Sequence, residues 1–130
     1  PHDCADAPAF RGIDMSVTTN IKIFAKKLVR QTEIRSQFFP PEICSDAAWS
    51  MLLDLHTSQT DLRSVSVGSL CIAGNVPNST GLRWISLLID KGLIQRYPDP
   101  RDRRRILVRL TEKAASQMEA CLTRMAQTDA

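Results

Sequence analysis

The chain has 130 residues, 43% of them apolar and 24% charged, enough for one compact domain with a modest core. No run approaches the roughly 18 apolar residues of a membrane span, and the start, PHDCADAPAFRGID, has no basic head followed by an apolar stretch, so neither a membrane anchor nor a signal peptide is expected. Net charge is only +3, but residues 83–109 carry eight basic against three acidic side chains, so this segment holds +5 and the remainder −2, the distribution of an anion-binding surface.

Residues 1–16 mix Pro, Asp, Ala and Gly without a period and read as a flexible arm; residues 17–130 read as a single domain. A helix is predicted over 18–39, with Ile21, Phe24, Leu28, Ile34 and Phe38 near one side and Lys22, Lys26 and Arg30 at i+4 steps beside it, ended by Pro40-Pro41. A second helix opens after Asp46 as N-cap. Its inner face is Trp49, Leu52, Leu53 and His56, widened by Ala48, Met51 and Leu55. After the polar TSQTDLRS come a strand residue or two (Ser64, Val65), Ser66 as a cap, and a short third helix ending near Gly74.

Gly74-Asn75 supplies a tight turn, and Pro77 suits the first position of a fourth helix over 77–91. Gly81, Trp84, Ile85 and Leu88 form its inner face; Asn78, Ser79, Leu82, Arg83 and Ser86 lie opposite. Gly92 permits a left-handed stop. The period then changes from 3.6 to 2. LIQRYP and RILVRL are predicted strands joined by a polar loop, DPRDRR, with Ile106, Val108 and Leu110 on one face and Leu107 and Arg109 on the other. A last helix over 111–127 opens at Thr111-Glu112, and Ala114, Met118, Cys121 and Met125, spaced 4, 3, 4, form a seam that packs on another helix.

This order predicts a mainly α fold with a small β-hairpin (α+β): a winged helix-turn-helix over 46–110 flanked by terminal helices suited to dimerisation. Such a module presents the outer face of its fourth helix to the major groove of double-stranded DNA. There Arg83 can pair with guanine or clamp a phosphate, Asn78, Ser79 and Ser86 can meet base edges or phosphates, and Leu82 can touch a thymine methyl. Ser66 joins this DNA-facing set. In the wing, alternation puts Arg104 on the Ile106/Val108 side. Arg104 is therefore expected to pair with Asp102 or Asp99 as scaffold, and Arg101, Arg103 and Arg105 to contact DNA.

The run NVPNSTGLRWISLLIDKGLIQRYPDPRDRRRILVRLTEKA resembles the MarR family of bacterial transcriptional regulators: Lys91-Gly92-Leu93-Ile94, Asp99-Pro100, Asp102-Arg103-Arg104 and Leu110-Thr111-Glu112-Lys113 match its wing region in order and spacing. The resemblance spans about 49–125 and is strongest over 75–114. It implies a homodimer on a pseudo-palindromic operator, recognition helices in successive major grooves, wings near the flanking minor grooves, and, in many members, a small-molecule or oxidant effector. The family pattern adds a further long helix after the one opening at Thr111. Here the first helix (Ile21, Phe24, Leu28) and the Met118, Cys121 and Met125 seam are the candidates for the dimer interface.

Cys4, Cys44, Cys71 and Cys121 lie far apart, with no C-x-x-C and no neighbouring His pair, which supports neither a zinc site nor a disulfide framework; reduced thiols in a cytoplasm are expected. Cys44 is the better placed of them for redox sensing, although no basic residue adjoins it. Trp49 and Trp84 read as core, and His56 as a hydrogen-bonded core residue. No nucleophile–base–oxyanion set or phosphate loop is present, so neither an enzyme nor a cofactor is expected. The alternative function is a winged-helix module that binds protein and no operator.

Overall fold

The computed structural model describes residues 15–128, so the expected arm lies outside the described residues except for Met15 and Ser16, which are already helical. Helix α1 runs Met15–Phe38, starting ahead of the predicted Thr18 because Met15, Ser16 and Val17 include no helix breaker. Pro40 and Pro41 end it, and a single 3-10 turn, Pro41–Ile43, leads into α2, Asp46–Thr60. The N-cap of α2 is Ser45, whose hydroxyl accepts from the Ala48 N–H at 3.1 Å. Asp46, expected in that role, sits instead in the first turn, where its charge meets the positive end of the helix dipole.

Strand β1, Val65–Ser66, precedes α3, Val67–Ala73. The Ser66 hydroxyl caps α3 by accepting from the Ser69 N–H at 3.1 Å. Asn75, at φ 54°, turns the chain into α4, Asn78–Asp90. Pro77 occupies the N-cap of α4 rather than its first helical position, and its carbonyl accepts from the Gly81 N–H at 2.9 Å. Gly92 has φ +72°, the left-handed stop that its position after α4 predicts.

Strands β2, Ile94–Asp99, and β3, Asp102–Leu110, form an antiparallel hairpin, and β1 joins the far edge of β3 to give the order β1-β3-β2. The expected six-residue loop is therefore mostly strand, with only Pro100 and Arg101 between the two. Pairing runs regularly from Ile94↔Leu110 to Pro98↔Ile106, then jumps to Asp99↔Asp102. Arg103, Arg104 and Arg105 are the extra residues of this bulge. The expected two-faced β3 also changes. Val108 and Leu110 are buried as predicted, but Leu107 is buried too and Ile106 is largely exposed. Leu107 lies between Ser66 of β1 and Tyr97 of β2 in the centre of the sheet, whereas Ile106 borders the bulge at its open end.

Helix α5, Glu112–Thr128, is capped by Thr111, whose hydroxyl accepts from the Ala114 N–H and donates to the Gly92 carbonyl at 2.7 Å. Its seam, Ala114, Met118, Cys121 and Met125, is buried inside this single chain in one core with Ile34, Phe39, Ile43, Met51, Leu52 and Leu55. Met118, Cys121 and Met125 are thus not dimer surface. The C-terminal third of α1 supplies the helix they pack on, a partner that seam spacing alone does not identify. Gln117 fixes the same contact by donating to the Phe38 carbonyl at 3.3 Å. Trp49 is half-buried at the edge of the core, with the Arg35 guanidinium 5.2 Å from its ring centre.

Helices α3 and α4 approach closely at Gly81. A methyl placed at Gly81 would stand 2.9 Å from Cys71 Sγ and 3.3 Å from the Cys71 backbone. Gly81→Ala is expected to cost about 1–3 kcal/mol through overpacking, seen as a lower Tm, with partial recovery on adding Cys71→Ala; an unchanged Tm for Gly81→Ala would show a looser crossing.

Candidate nucleic-acid interface

The Gly81 contact turns one side of α4 onto α3 and leaves the other in solvent. Gly81, Ile85 and Leu88 are buried and Trp84 is half-buried against the core, a packing position rather than an open stacking platform. Asn78, Ser79, Leu82, Arg83 and Ser86 are all exposed. Among the described residues, no carboxylate lies within ion-pair distance of Arg83. The last turn of α4 is tied down by Lys91, whose ammonium meets Glu42 at 2.7 Å and holds that carboxyl below its usual range.

The wing is shaped by two aspartates. Asp99 Oδ1 accepts from the Arg101 N–H at 2.9 Å, and Asp102 Oδ1 accepts from the Arg104 N–H at 3.0 Å. Each is a carboxylate folding back on the backbone two residues on, the local bond that makes Asp a turn residue. Arg104 Nε also reaches Asp102 at 3.3 Å, the pairing expected of it, although its side chain is 91% exposed. Sequence reasoning missed the second pair. Arg105, expected to be free, lies 3.6 Å from Asp99, whose side chain is only 10% exposed. The bulge breaks the alternation on which the assignment of Arg103 and Arg105 to a common side rested. The Asp-Pro at the turn was the available signal for Asp99. Arg101 and Arg103 are exposed and have no acidic partner among the described residues.

Two further placements bear on the expected site residues. The Ser66 hydroxyl donates to Ser69 Oγ at 3.0 Å as well as capping α3, so it is committed within the chain. Arg109 lies with its guanidinium 4.5 Å from the Tyr97 ring centre, outside the wing tip.

Of the candidate dimer residues, Ile21, Phe24 and Leu28 are exposed at 59%, 61% and 48%. With Val17, also exposed, they repeat at 4, 3, 4, the same spacing as the buried seam of α5. Among the described residues no helix is long and apolar enough to cross a membrane.

A helix-turn-helix with a three-stranded sheet and an arginine-bearing hairpin is a winged helix. The family described as "Winged helix DNA-binding domain" matches residues 51–114. Among solved structures, the chain is similar to MepR, a transcription regulator of the Staphylococcus aureus multidrug efflux pump MepA, at 20% identity and a TM-score of 0.68, over 90% of this chain and 80% of that one. It is similar to the S. aureus MepR–DNA complex at 24% identity and 0.60, over 89% of each chain. It is also similar to wild-type MarR from E. coli at 20% identity and 0.58, over 82% of this chain and 76% of that one. No curated protein sequence matches it. The chain shares the winged helix-turn-helix fold of these structures.

Burial pushes the Cys71 and Cys121 thiols above their ordinary range, with Cys44 adding to the rise at Cys121 and Arg35 opposing it. The thiolate form is therefore scarce at neutral pH. Cys71 and Cys121 are expected to stay unmodified by iodoacetamide in the folded chain at neutral pH and to react in denaturant. Peptide mass mapping reads both, and rapid native modification of Cys71 would contradict its placement at the α3–α4 crossing.

Proposed function

We propose that this chain is a transcriptional regulator that binds double-stranded DNA sequence-specifically as a homodimer. The outer face of α4 enters the major groove and the wing rests on the flanking backbone or minor groove. The observation that carries this reading is the outward side of α4: short polar groups, one exposed leucine and an arginine without an internal partner, on a helix whose other side is fixed by the core. Arg83 reads or clamps, Asn78, Ser79 and Ser86 hydrogen-bond to base edges or phosphates, and Leu82 offers apolar contact. Arg101 and Arg103 contribute phosphate contacts, while Asp102–Arg104 and Asp99–Arg105 hold the hairpin that carries them. The solved relatives support this reading because one of them is a DNA complex. A protein-binding module would favour a neutral or acidic α4 face; Arg83 and the wing argue against it.

For the dimer, α1 supplies the unoccupied seam Val17, Ile21, Phe24 and Leu28. A second copy of the same seam satisfies it symmetrically, as the isologous interface of a two-fold dimer requires. Phe24→Glu with Leu28→Glu is expected to give a monomer by sedimentation equilibrium with the circular dichroism of the lobe retained; an unchanged mass would remove α1 from the interface.

The DNA reading is tested with a protected-site selection from genomic fragments, followed by titration of the recovered duplex at several salt concentrations. Arg83→Ala is expected to cost about 1–3 kcal/mol on that duplex and less on unrelated DNA. Arg103→Gln is expected to lower the slope of log K against log salt by about 1 on both. If the unaltered chain retains no fragment at low salt, the protein-binding alternative stands.

A further inference from the structure

Of the four described glycines, three are explained by the fold. Gly81 abuts Cys71, Gly74 would place a methyl 2.7 Å from Met51 Cε, and Gly92 has a positive φ. Gly68 is different. It lies in the first turn of α3 with a helical backbone, it is exposed, and a methyl built on it meets no heavy atom within 4 Å. A glycine in a helix is less stable than almost any other residue there, chiefly through the freedom it loses on folding. No close contact and no positive φ calls for a glycine there.

The surroundings of Gly68 suggest what does. It lines an open notch of about 450 Å³ together with Ser66, Val67, Arg96, Arg105 and Ile106. No lining residue is acidic. Two arginines line it, Arg96 from β2 and Arg105 from β3. Arg96 has no acidic partner among the described residues, and Arg105 is held from behind by the nearly buried Asp99 at 3.6 Å. The missing side chain and the two arginines share one place in the fold, where the start of α3 meets the base of the wing.

Resting on the DNA-binding reading above, we infer that this notch seats a backbone phosphate of the bound duplex. Arg96 and Arg105 supply the charge, and Gly68 supplies the clearance that lets the sugar-phosphate chain approach the helix. The notch adds a backbone contact apart from both α4 and the wing tip, and it makes Arg96, a strand residue by pattern, part of the interface. Because a phosphate contact carries no base information, it contributes to all duplexes alike and fixes the orientation in which α4 meets the groove.

The test uses the full chain and a fluorescent mixed-sequence duplex of about 30 base pairs at about 50 mM salt, where phosphate contacts dominate binding. Gly68→Leu adds a good helix former without a hydrogen-bonding group. It is expected to leave Tm unchanged or raised, because the unfolded chain loses freedom, and yet to weaken binding roughly tenfold. Arg96→Gln is expected to lower the salt slope by about 1. A glycine required by the fold would instead lower Tm on replacement, and that result overturns the inference. So does a Gly68→Leu chain that binds as the unaltered chain does, or an Arg96→Gln chain with an unchanged slope. If the unaltered chain binds the duplex and these variants match it, the notch alone falls; if the unaltered chain binds no duplex, the DNA-binding reading falls with it.

Discussion

The crossing of α3 on α4 at Gly81 and Cys71 governs what the rest of the molecule presents. With a would-be Cβ only 2.9 Å from Cys71 Sγ, the two helices meet almost backbone to side chain, and α4 has little freedom to rotate about its axis. Ile85 and Leu88 then follow Gly81 into the core, and Asn78, Ser79, Leu82, Arg83 and Ser86 are necessarily outside. The outward face is a consequence of the inward one. A loosely packed α4 would leave Arg83 able to point in several directions, and side chains that read base edges need a fixed one.

The wing is shaped by a different kind of interaction. Few apolar contacts reach the hairpin tip, so its geometry depends on short polar bonds. Asp99 and Asp102 each accept a backbone N–H two residues on, at 2.9 and 3.0 Å, and each also faces an arginine. The two pairs are not equivalent. Arg104–Asp102 is largely solvated, so screening leaves it little energy. Asp99 is nearly buried, and its loss would leave the Arg101 N–H and the Arg105 guanidinium without their acceptor. The three-residue bulge concentrates arginines at one end of the sheet, and the aspartates keep two of them oriented without cancelling Arg101 and Arg103.

Much of this was legible in the sequence because its local signals agree with one another. The amphipathic repeat of 77–91, Gly92, the change to a period of 2 and Thr111-Glu112 all point to one architecture, and the structure has that architecture. The failures have a common physical origin. A period-2 argument assumes unbroken pairing, so the jump from Pro98↔Ile106 to Asp99↔Asp102 scrambled the predicted sides of Arg103–Ile106. Periodicity also says that a residue is covered without naming what covers it. Met118, Cys121 and Met125 were correctly read as a helix-packing seam, but their partner is the chain's own α1. Gly68 shows a third limit: a glycine with no turn, no clash and no positive φ around it has meaning only in three dimensions.

The two ends of α1 have opposite environments, and this connects its exposed seam to the α3–α4 lobe. Ile34, Phe38 and Phe39 are anchored on α2 and α5, helped by Arg35 over the Trp49 ring and by Gln117 on the Phe38 carbonyl. Val17, Ile21, Phe24 and Leu28, nearer the N-terminus, are uncovered. Because α1 is continuous from Met15 to Phe38, a partner seated on the exposed seam would be held rigidly to the α2–α5 core and, through the α3–α4 crossing, to Arg83. The spacing between two copies of α4 would then be set by the angle at which the α1 seams cross, and a change at Arg35, Trp49 or Gln117 would alter that spacing without touching either surface. On the proposed dimer, the spacing of the two α4 helices and the packing at the C-terminal end of α1 are one structural variable.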